Sequence, residues 1–528
     1  MKRKVLQLLT GILVLGALHI SVFGQLTTRE IDHLVEDAIE KFTVAGVAVG
    51  IVKDGEIIHA KGYGLKSVET GEKVDEHTSF AIASNSKAFT TAALAILVEE
   101  GKLSWHDRVV DHIPEFKMYN DYVTQNFNIQ DLLTHRSGLG LGAGDLQFWP
   151  PGSDFSMADL LTNFQHFEPV SAFRTKYDYD NILYMVAGEV IKRVSGLSWE
   201  DFVMERILVP LGMDNSSTLP PSMADLENMA TPHLVVDGKL ETTYCTEFDP
   251  ELINGALGAV LSSAADMSRW MLVHLNEGKY GENHEKQLFS GASQREMWKI
   301  HTTRNVTPNT RYNPHFRGYG LGWDLNHMCG KLIVYHTGDV QGMLSKTIMI
   351  PDLELGVVVL TNSYYGGSGV FSAVSQTIVD SYLGLDDYGW TEFYLKRDLD
   401  RTNSANTVVA QVWETVESRN HDHINIEDYL GVYEDKWFGK VEVHLKEGLP
   451  WFTSYRSPWL TGPMFHYKAN SFAIKWEIRD MDADAFAMFS LDEEGKATQI
   501  TMKGISPDID FSFDFQDLRF SRIPEKDL

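Results

Sequence analysis

A hydroxyl and an amine stand three residues apart in Ser84-Asn85-Ser86-Lys87, at the start of a segment with helical spacing from Phe80 to Gly101. Residues so spaced share a helix face, so the Lys87 amine can reach the Ser84 oxygen. Apolar surroundings would lower the lysine pKa and let it take the serine proton, making Ser84 a nucleophile. A helix start also aims backbone N–H groups and the positive dipole end at any oxyanion formed there. The chain holds no other Ser-x-x-Lys, yet alone the quartet reads more readily as a helix cap followed by an exposed lysine. Two further groups add to it. In Lys176-Tyr177-Asp178-Tyr179-Asp180-Asn181, the Tyr179 phenol could relay protons to or from Ser84, and the Asn181 amide could hold a substrate carbonyl. In Tyr335-His336-Thr337-Gly338-Asp339, Gly338 would let substrate backbone approach closely, and His336 and Thr337 offer polar contacts at a cleft edge. Each has a bland equivalent: an aromatic anchor before a cap, or a polar strand end.

The elements that must position these groups follow from periodicity. Leu26 to Phe42 reads as an amphipathic helix, and Val47–Val52 and Glu56–Gly62 as strands around the turn signal Lys53-Asp54-Gly55. A helical and loop-rich middle runs to about Gly278, with helices over Asn181–Ser195 and Ala264–Asn276. Strands resume at Leu332–His336, Ser345–Ile350 and Leu355–Asn362, and a helix over Ser372–Leu383 closes the unit. Strands from both ends around a helical middle imply an α+β domain with an antiparallel sheet. Trp390 to Ser418 reads as a polar helical connector with a soft break at Thr402-Asn403-Ser404. From Ile426 the pattern becomes short alternating runs, including Val441–Leu445, Phe472–Ile478 and Phe511–Phe515, which argue a small all-β barrel or sandwich. The expected division is 1–24 leader, 25–385 catalytic domain, 386–425 helical linker and 426–528 β-barrel-like domain.

Composition narrows the function. At 528 residues the chain exceeds a single core, and its 43% hydrophobic and 23% charged content is ordinary for a globular protein. A net charge of -27 repels polyanions, so a nucleic-acid partner is not expected. Lys2, Arg3 and Lys4, the apolar run Val5–Leu18 and the short close at Val22-Phe23-Gly24 have the layout of a secretory signal peptide, with an uncleaved anchor as the rival. Export to the periplasm or the extracellular space is the expectation. Cys245 and Cys329 are the only cysteines, compatible with one disulfide without establishing it. No HExxH, CxxC or phosphate loop is present, and His421-Asp422-His423 reads as solvated polar linker, so neither a metal nor a cofactor is expected. Trp437, Trp451, Trp459 and Trp476 read chiefly as core packing, with ligand contact as the alternative.

Taken together and in this order, Ser84-x-x-Lys87, Tyr179-x-Asn181 and His336-Thr337-Gly338 resemble the motifs of the serine β-lactamase and penicillin-binding protein superfamily. The likeness is to its class C-related branch, which includes esterases and D-amino-acid-specific peptidases. Leu132–Leu139 and Gly318–Trp323 fit it too, and the C-terminal part is similar to the β-barrel appendage of some relatives. The resemblance covers about residues 26–383. It implies an acyl-enzyme on Ser84, with Lys87 and Tyr179 managing its proton, Asn181 binding the substrate carbonyl, and the Ser84 and Asp339 N–H groups forming the oxyanion hole. His336 departs from the superfamily pattern, which commonly has lysine there to hold a substrate carboxylate; histidine is mostly neutral near pH 7. The expectation is therefore a secreted serine hydrolase of a small-molecule or peptide substrate, near cell wall or membrane: a peptidase, D-amino-acid amidase or esterase. The alternatives are penicillin-binding, carboxypeptidase or β-lactamase activity, or a slowly deacylating sensor. An α/β-hydrolase is disfavoured, since no Gly-x-Ser-x-Gly elbow exists.

Overall fold

The computed structural model describes residues 24–218, 228–236, 238–244, 253–308, 311–419 and 424–524. The expected leader up to Phe23, Cys245 and His421–His423 lie outside the described residues, and Cys329 is a free, exposed thiol.

Helix α1 (Thr28–Phe42) starts on a capping box: the Glu30 N–H donates to the Thr27 hydroxyl, and the Glu30 carboxylate accepts from the Thr27 N–H. It buries Ile31, Val35, Ala38 and Phe42 against the sheet. Strands β1 (Gly46–Lys53) and β2 (Glu56–Gly64) form a hairpin through Asp54 and Gly55, whose φ values of 52° and 82° suit a tight two-residue turn. The segment Ser86–Glu99 is helix α2, buried on nearly every side, which suits its all-round apolar composition. Helices α3 (Ile182–Ser195) and α4 (Ala264–Leu275) follow in the helical middle.

The sheet is completed by β3 (Thr302–Thr303), β4 (Arg317–Tyr319), β5 (Asp324–Met328), β6 (Lys331–Val340), β7 (Met343–Ile350) and β8 (Leu355–Thr361). Its eight strands run in the order β2-β1-β8-β7-β6-β5-β4-β3, antiparallel throughout. The N-terminal hairpin thus sits beside the last strand, as the strand–helix–strand order requires. One face packs on α4, where Gly50 and Gly356 leave room for Ser268 and Met271. The other packs on α1 and α5 (Gly367–Leu383), around Val49, Ile348, Val357 and Val374. This is the α+β fold anticipated.

Helix α6 (Trp390–Ser418) is continuous through Thr402–Ser404, where a break was expected. Those residues are only indifferent helix formers, and buried Ala405 keeps the turn docked. Eight strands then close a barrel: β9 (Gly431–Asp435), β10 (Gly439–Lys446), β11 (Leu449–Ser454), β12 (Thr461–Lys468), β13 (Ser471–Ile474), β14 (Ala485–Leu491), β15 (Ala497–Gly504) and β16 (Arg519–Arg522). Closure removes the exposed edge that an open sheet would keep. Phe511–Phe515 is not a strand, contrary to its alternation: it is part of the connection between β15 and β16. Trp476 is barrel core, whereas Trp437 packs at a tilt against Phe167 and Trp459 meets Tyr244, both at the junction with the first domain. Arg456 clasps the same junction, paired with Asp154 and Asp159 and lying over the Phe155 ring. Among the described residues no helix is long and apolar enough to cross a membrane.

Candidate active site

Ser84 lies one turn before α2, in the short 3-10 turn Ala83–Asn85, so the helix begins two residues later than Ser84 itself. Ala83 has φ 45°, a left-handed conformation that strains a residue with a Cβ. A knot of hydrogen bonds holds this turn. The Ser345 hydroxyl of β7 donates to Ile82 O at 2.7 Å, Asn85 Nδ2 donates to Ser345 Oγ at 2.8 Å, and the Ile82 N–H reaches Val260 O. Gly338 of β6 makes this possible. A Cβ there would stand 2.0 Å from Ile82 O, so its missing side chain admits the turn that carries Ser84, not substrate backbone as expected.

Lys87 is fully buried, and its Nζ lies 3.0 Å from Ser84 Oγ, 2.8 Å from Asn181 Oδ1 and 3.0 Å from Leu257 O. Burial lowers its pKa to about 7, against the opposing pull of the Asp145 and Asp180 carboxyls. A neutral amine has two hydrogens and one lone pair. Asn181 Oδ1 and Leu257 O can only accept, so they take both hydrogens and leave the lone pair facing the Ser84 hydroxyl.

Asn181 precedes α3, with its oxygen toward Lys87 and its Nδ2 donating to Asp145 Oδ2 at 2.7 Å. Only the second Nδ2 hydrogen remains for a substrate carbonyl. Tyr179 buries its hydroxyl without a hydrogen-bond partner, and Lys87 Nζ lies 4.9 Å from its ring centre. Burial holds its phenol well above the ordinary range, so it stays protonated; the nearby Ser84 hydroxyl, too poorly placed for a formed hydrogen bond, opposes that rise. The Tyr179 ring packs against His135, which is buried at φ 51° and accepts from the Asp180 N–H on Nδ1.

On β6 the three expected residues divide. His336 is buried: Nδ1 donates to Thr337 O at 2.6 Å, so Nε2 accepts from the Tyr319 hydroxyl at 2.9 Å. Burial pushes its pKa down to about 3, and it remains neutral. Thr337 and Asp339 are exposed at the cleft rim. Asp339 stays open to solvent, so the upward push on its carboxyl from surrounding protein and from Asp510 is partial. Val340 and Met343 close a two-residue loop, and strand alternation therefore turns the Asp339 N–H away from β7. Strand β5 pairs with β6 only as far as Tyr335, leaving that edge open beside the cleft.

The cleft has a volume of about 1030 Å³ and is walled by Ser84, Tyr179, Asn181 and His336 on one side and by Asp510 and Phe511 of the barrel connection on the other. Arg304 pairs with Asp324 on its floor, and Arg317 bonds the Tyr335 hydroxyl. A larger surprise than any single wall is Asp145. It is fully buried, accepts from Asn181 and from the Ser512 hydroxyl on Oδ2, and nothing in the motif pattern singles it out. His135, Tyr319, Ser512 and Asp514 fall in segments that the sequence singled out without giving these residues a place in the site. The run Gly138-Leu139-Gly140-Leu141-Gly142-Ala143-Gly144 was the available signal, because dense glycine marks close backbone approach: a Cβ on Gly142 would meet Phe511 O at 2.6 Å.

A desolvated Ser–Lys pair under an antiparallel sheet edge defines a class of acylating serine enzymes. The model of the family described as Beta-lactamase matches residues 31–375, and the chain belongs to this family of beta-lactamase-fold serine hydrolases. A second model, a domain of unknown function (DUF3471), matches residues 417–522, which include the barrel. The chain is 26% identical over 443 residues to "Unguisins hydrolase ungD" of Aspergillus violaceofuscus, covering 78% of this chain and 75% of that one. It is 26% identical over 352 residues to "Protein flp" of Staphylococcus aureus, covering 63% of each. The octameric penicillin-binding protein homologue of Pyrococcus abyssi superposes with a TM-score of 0.58 at 20% identity, over 94% of this chain and 100% of that one. The penicillin-binding protein of Bacillus halodurans gives 0.52 at 22% identity, over 65% of this chain and 98% of that one. These solved structures establish the fold.

Proposed function

We propose that the protein hydrolyses an amide or ester through an acyl-Ser84 intermediate, acting as a peptidase, D-amino-acid amidase or esterase. The carrying observation is Lys87: buried, with two acceptors for its hydrogens and a lone pair toward Ser84 Oγ. The amine takes the Ser84 proton as Oγ bonds to the acyl carbon. The Ser84 and Asp339 N–H groups hold the oxyanion, where each donor contributes about 3 kcal/mol. The Tyr179 phenol hands its proton to the leaving nitrogen or oxygen and recovers one from Lys87, so the serine proton ends on the leaving group. Water then attacks the ester, returning a proton to Ser84.

His336 supports a substrate held without a fixed cation on β6, since it is neutral and both ring nitrogens are engaged. That favours amides, peptides and short esters over β-lactams. A relative named as a hydrolase supports turnover over mere acylation. The charged start and apolar run of residues 2–18 support export; N-terminal sequencing of the protein recovered outside the cytoplasm tests it. The activity test is labelling by a fluorophosphonate probe, then a panel of short acyl esters, D-amino-acid peptides and a cephalosporin. Labelling and turnover are expected in wild type and absent in Ser84→Ala. A wild type that no acylating probe labels at Ser84 would sink the mechanism, and efficient cephalosporin hydrolysis with esters and peptides ignored would sink the substrate class.

A further inference from the structure

The connection between β15 and β16 leaves the barrel and enters the catalytic domain. Asp514, fully buried, accepts from the Gly144 N–H at 2.6 Å and the Leu146 N–H at 3.0 Å, which fixes the backbone on both sides of Asp145. The neighbouring Ser512 donates its hydroxyl to Asp145 Oδ2 at 2.9 Å. Asp145 in turn accepts from Asn181 Nδ2, which turns the amide oxygen to Lys87. A continuous chain therefore runs from Ser512 through Asp145 and Asn181 to Lys87 and Ser84. Phe511 covers its outer side, packed edge-on against Tyr179.

The direction of each bond matters. An amide whose two ends were exchanged would present N–H hydrogens to the Lys87 amine, remove one acceptor, and leave the lone pair without a defined direction. Asp145 prevents this only while its Oδ2 accepts. Burial pushes the Asp145 carboxyl well above its ordinary range, and Ser512 opposes that rise by stabilising the anion. Resting on the acyl-Ser84 reading, we propose that Ser512 is a positioning residue for Lys87, supplied by the barrel to hold Asp145 as an acceptor and so fix the Asn181 amide.

The groups facing Lys87 are Asp145 and Asp180, Tyr179 and Tyr184, and the neutral imidazoles His135 and His336. Asp145 also faces Asp180 and Asp514. Without the Ser512 hydroxyl, Asp145 takes a proton more readily, its negative charge near Lys87 fades, and the ammonium loses support. The alkaline-rising limb of acylation then moves to lower pH.

The test uses the full chain and the rate of Ser84 labelling by a fluorophosphonate, measured across pH with its maximal rate and probe affinity separated. In Ser512→Ala the maximal rate is expected to fall about tenfold and the acidic limb to move down by about half a unit, as loss of one hydrogen bond to a charged group implies. Probe affinity stays unchanged, and Ser512→Thr, which keeps the hydroxyl, restores both. Ser512→Cys, a weaker donor of similar shape, falls between them and serves if the alanine variant does not fold. A folded Ser512→Ala or Ser512→Cys protein with wild-type rate and wild-type limb overturns the proposal. Lys87→Ala separates the two readings: undiminished labelling in it refutes the lysine base, and the Ser512 role with it, whereas a dead Lys87→Ala beside an unaffected Ser512→Ala refutes the positioning role alone.

Discussion

Adding one methyl group at Gly338 tests how the Ser84 turn is held. The alanine Cβ would stand 2.0 Å from Ile82 O and 2.4 Å from Ser345 Oγ, where real Cβ atoms essentially never come under 3.0 Å. Gly338 is held in register with Ser345 of β7, so the party expected to give way is the short turn carrying Ile82, Ala83 and Ser84. That turn must retreat by about 1 Å, a misplacement that costs on the order of 10²-fold in rate. Overpacking of this kind costs about 1–3 kcal/mol of stability. Gly338→Ala is therefore expected to stay folded, with a melting midpoint lower by a few degrees, while fluorophosphonate labelling of Ser84 slows about a hundredfold. The assay compares labelling rates and thermal unfolding of the two proteins side by side. A folded Gly338→Ala protein that labels at the wild-type rate refutes the account of the strand as the turn's support.

Other expectations follow from the same geometry. Because Lys87 must be neutral to act, the labelling rate should climb with pH through about 7, and Lys87→Ala should lose on the order of 10³-fold or more; a flat profile from pH 5 to 9 contradicts the base assignment. Ser345→Ala strands Asn85 Nδ2 in the interior and leaves Ile82 O with only the Asn85 N–H, and urea unfolding should show a loss of about 1–3 kcal/mol. Burial lowers His274 to about 3 from an unfolded value near 6.5, so between those limits the unfolded chain binds the extra proton and stability falls as pH falls. Urea titrations at pH 5 and 6 should show His274→Leu losing about 1.2 kcal/mol less than wild type over that unit, and equal slopes would count against it.

Legibility in the sequence followed the range of the interactions. Helix α1 announced itself through a local cap and a repeating apolar face, and the β1–β2 hairpin through Asp54-Gly55. Ser84, Lys87, Tyr179 and Asn181 were found as motif residues, and the structure brings all four together. What they touch was not legible. Asn181 was expected to face substrate, yet its oxygen is committed to Lys87, because the partner that orients it, Asp145, carries no local signature. Gly338 was expected to admit substrate backbone, but what approaches is Ile82, from a turn far away in sequence. The alternation in Phe511–Phe515 was genuine and suggested a strand; its polar members answer instead to Asp145 and to the Gly144 and Leu146 amides, partners that only the docked domains supply. His336 shows the opposite case, since its neutrality followed from side-chain chemistry alone and burial only reinforced it.

The contact between Ser512 and Asp145 spans 367 residues of chain. At the ~5–20 residues per second of protein synthesis, about 20–70 s separate the emergence of the two partners. Loop closure over such a distance is slow to form and comes late in folding. The first domain can collapse around α2 well before then, with the Ser84 turn already seated. On the proposed role of Ser512, the Asn181 acceptor of Lys87 is fixed only after the barrel has closed and docked, so assembly of the two domains would work as a clock on when the newly made protein becomes competent.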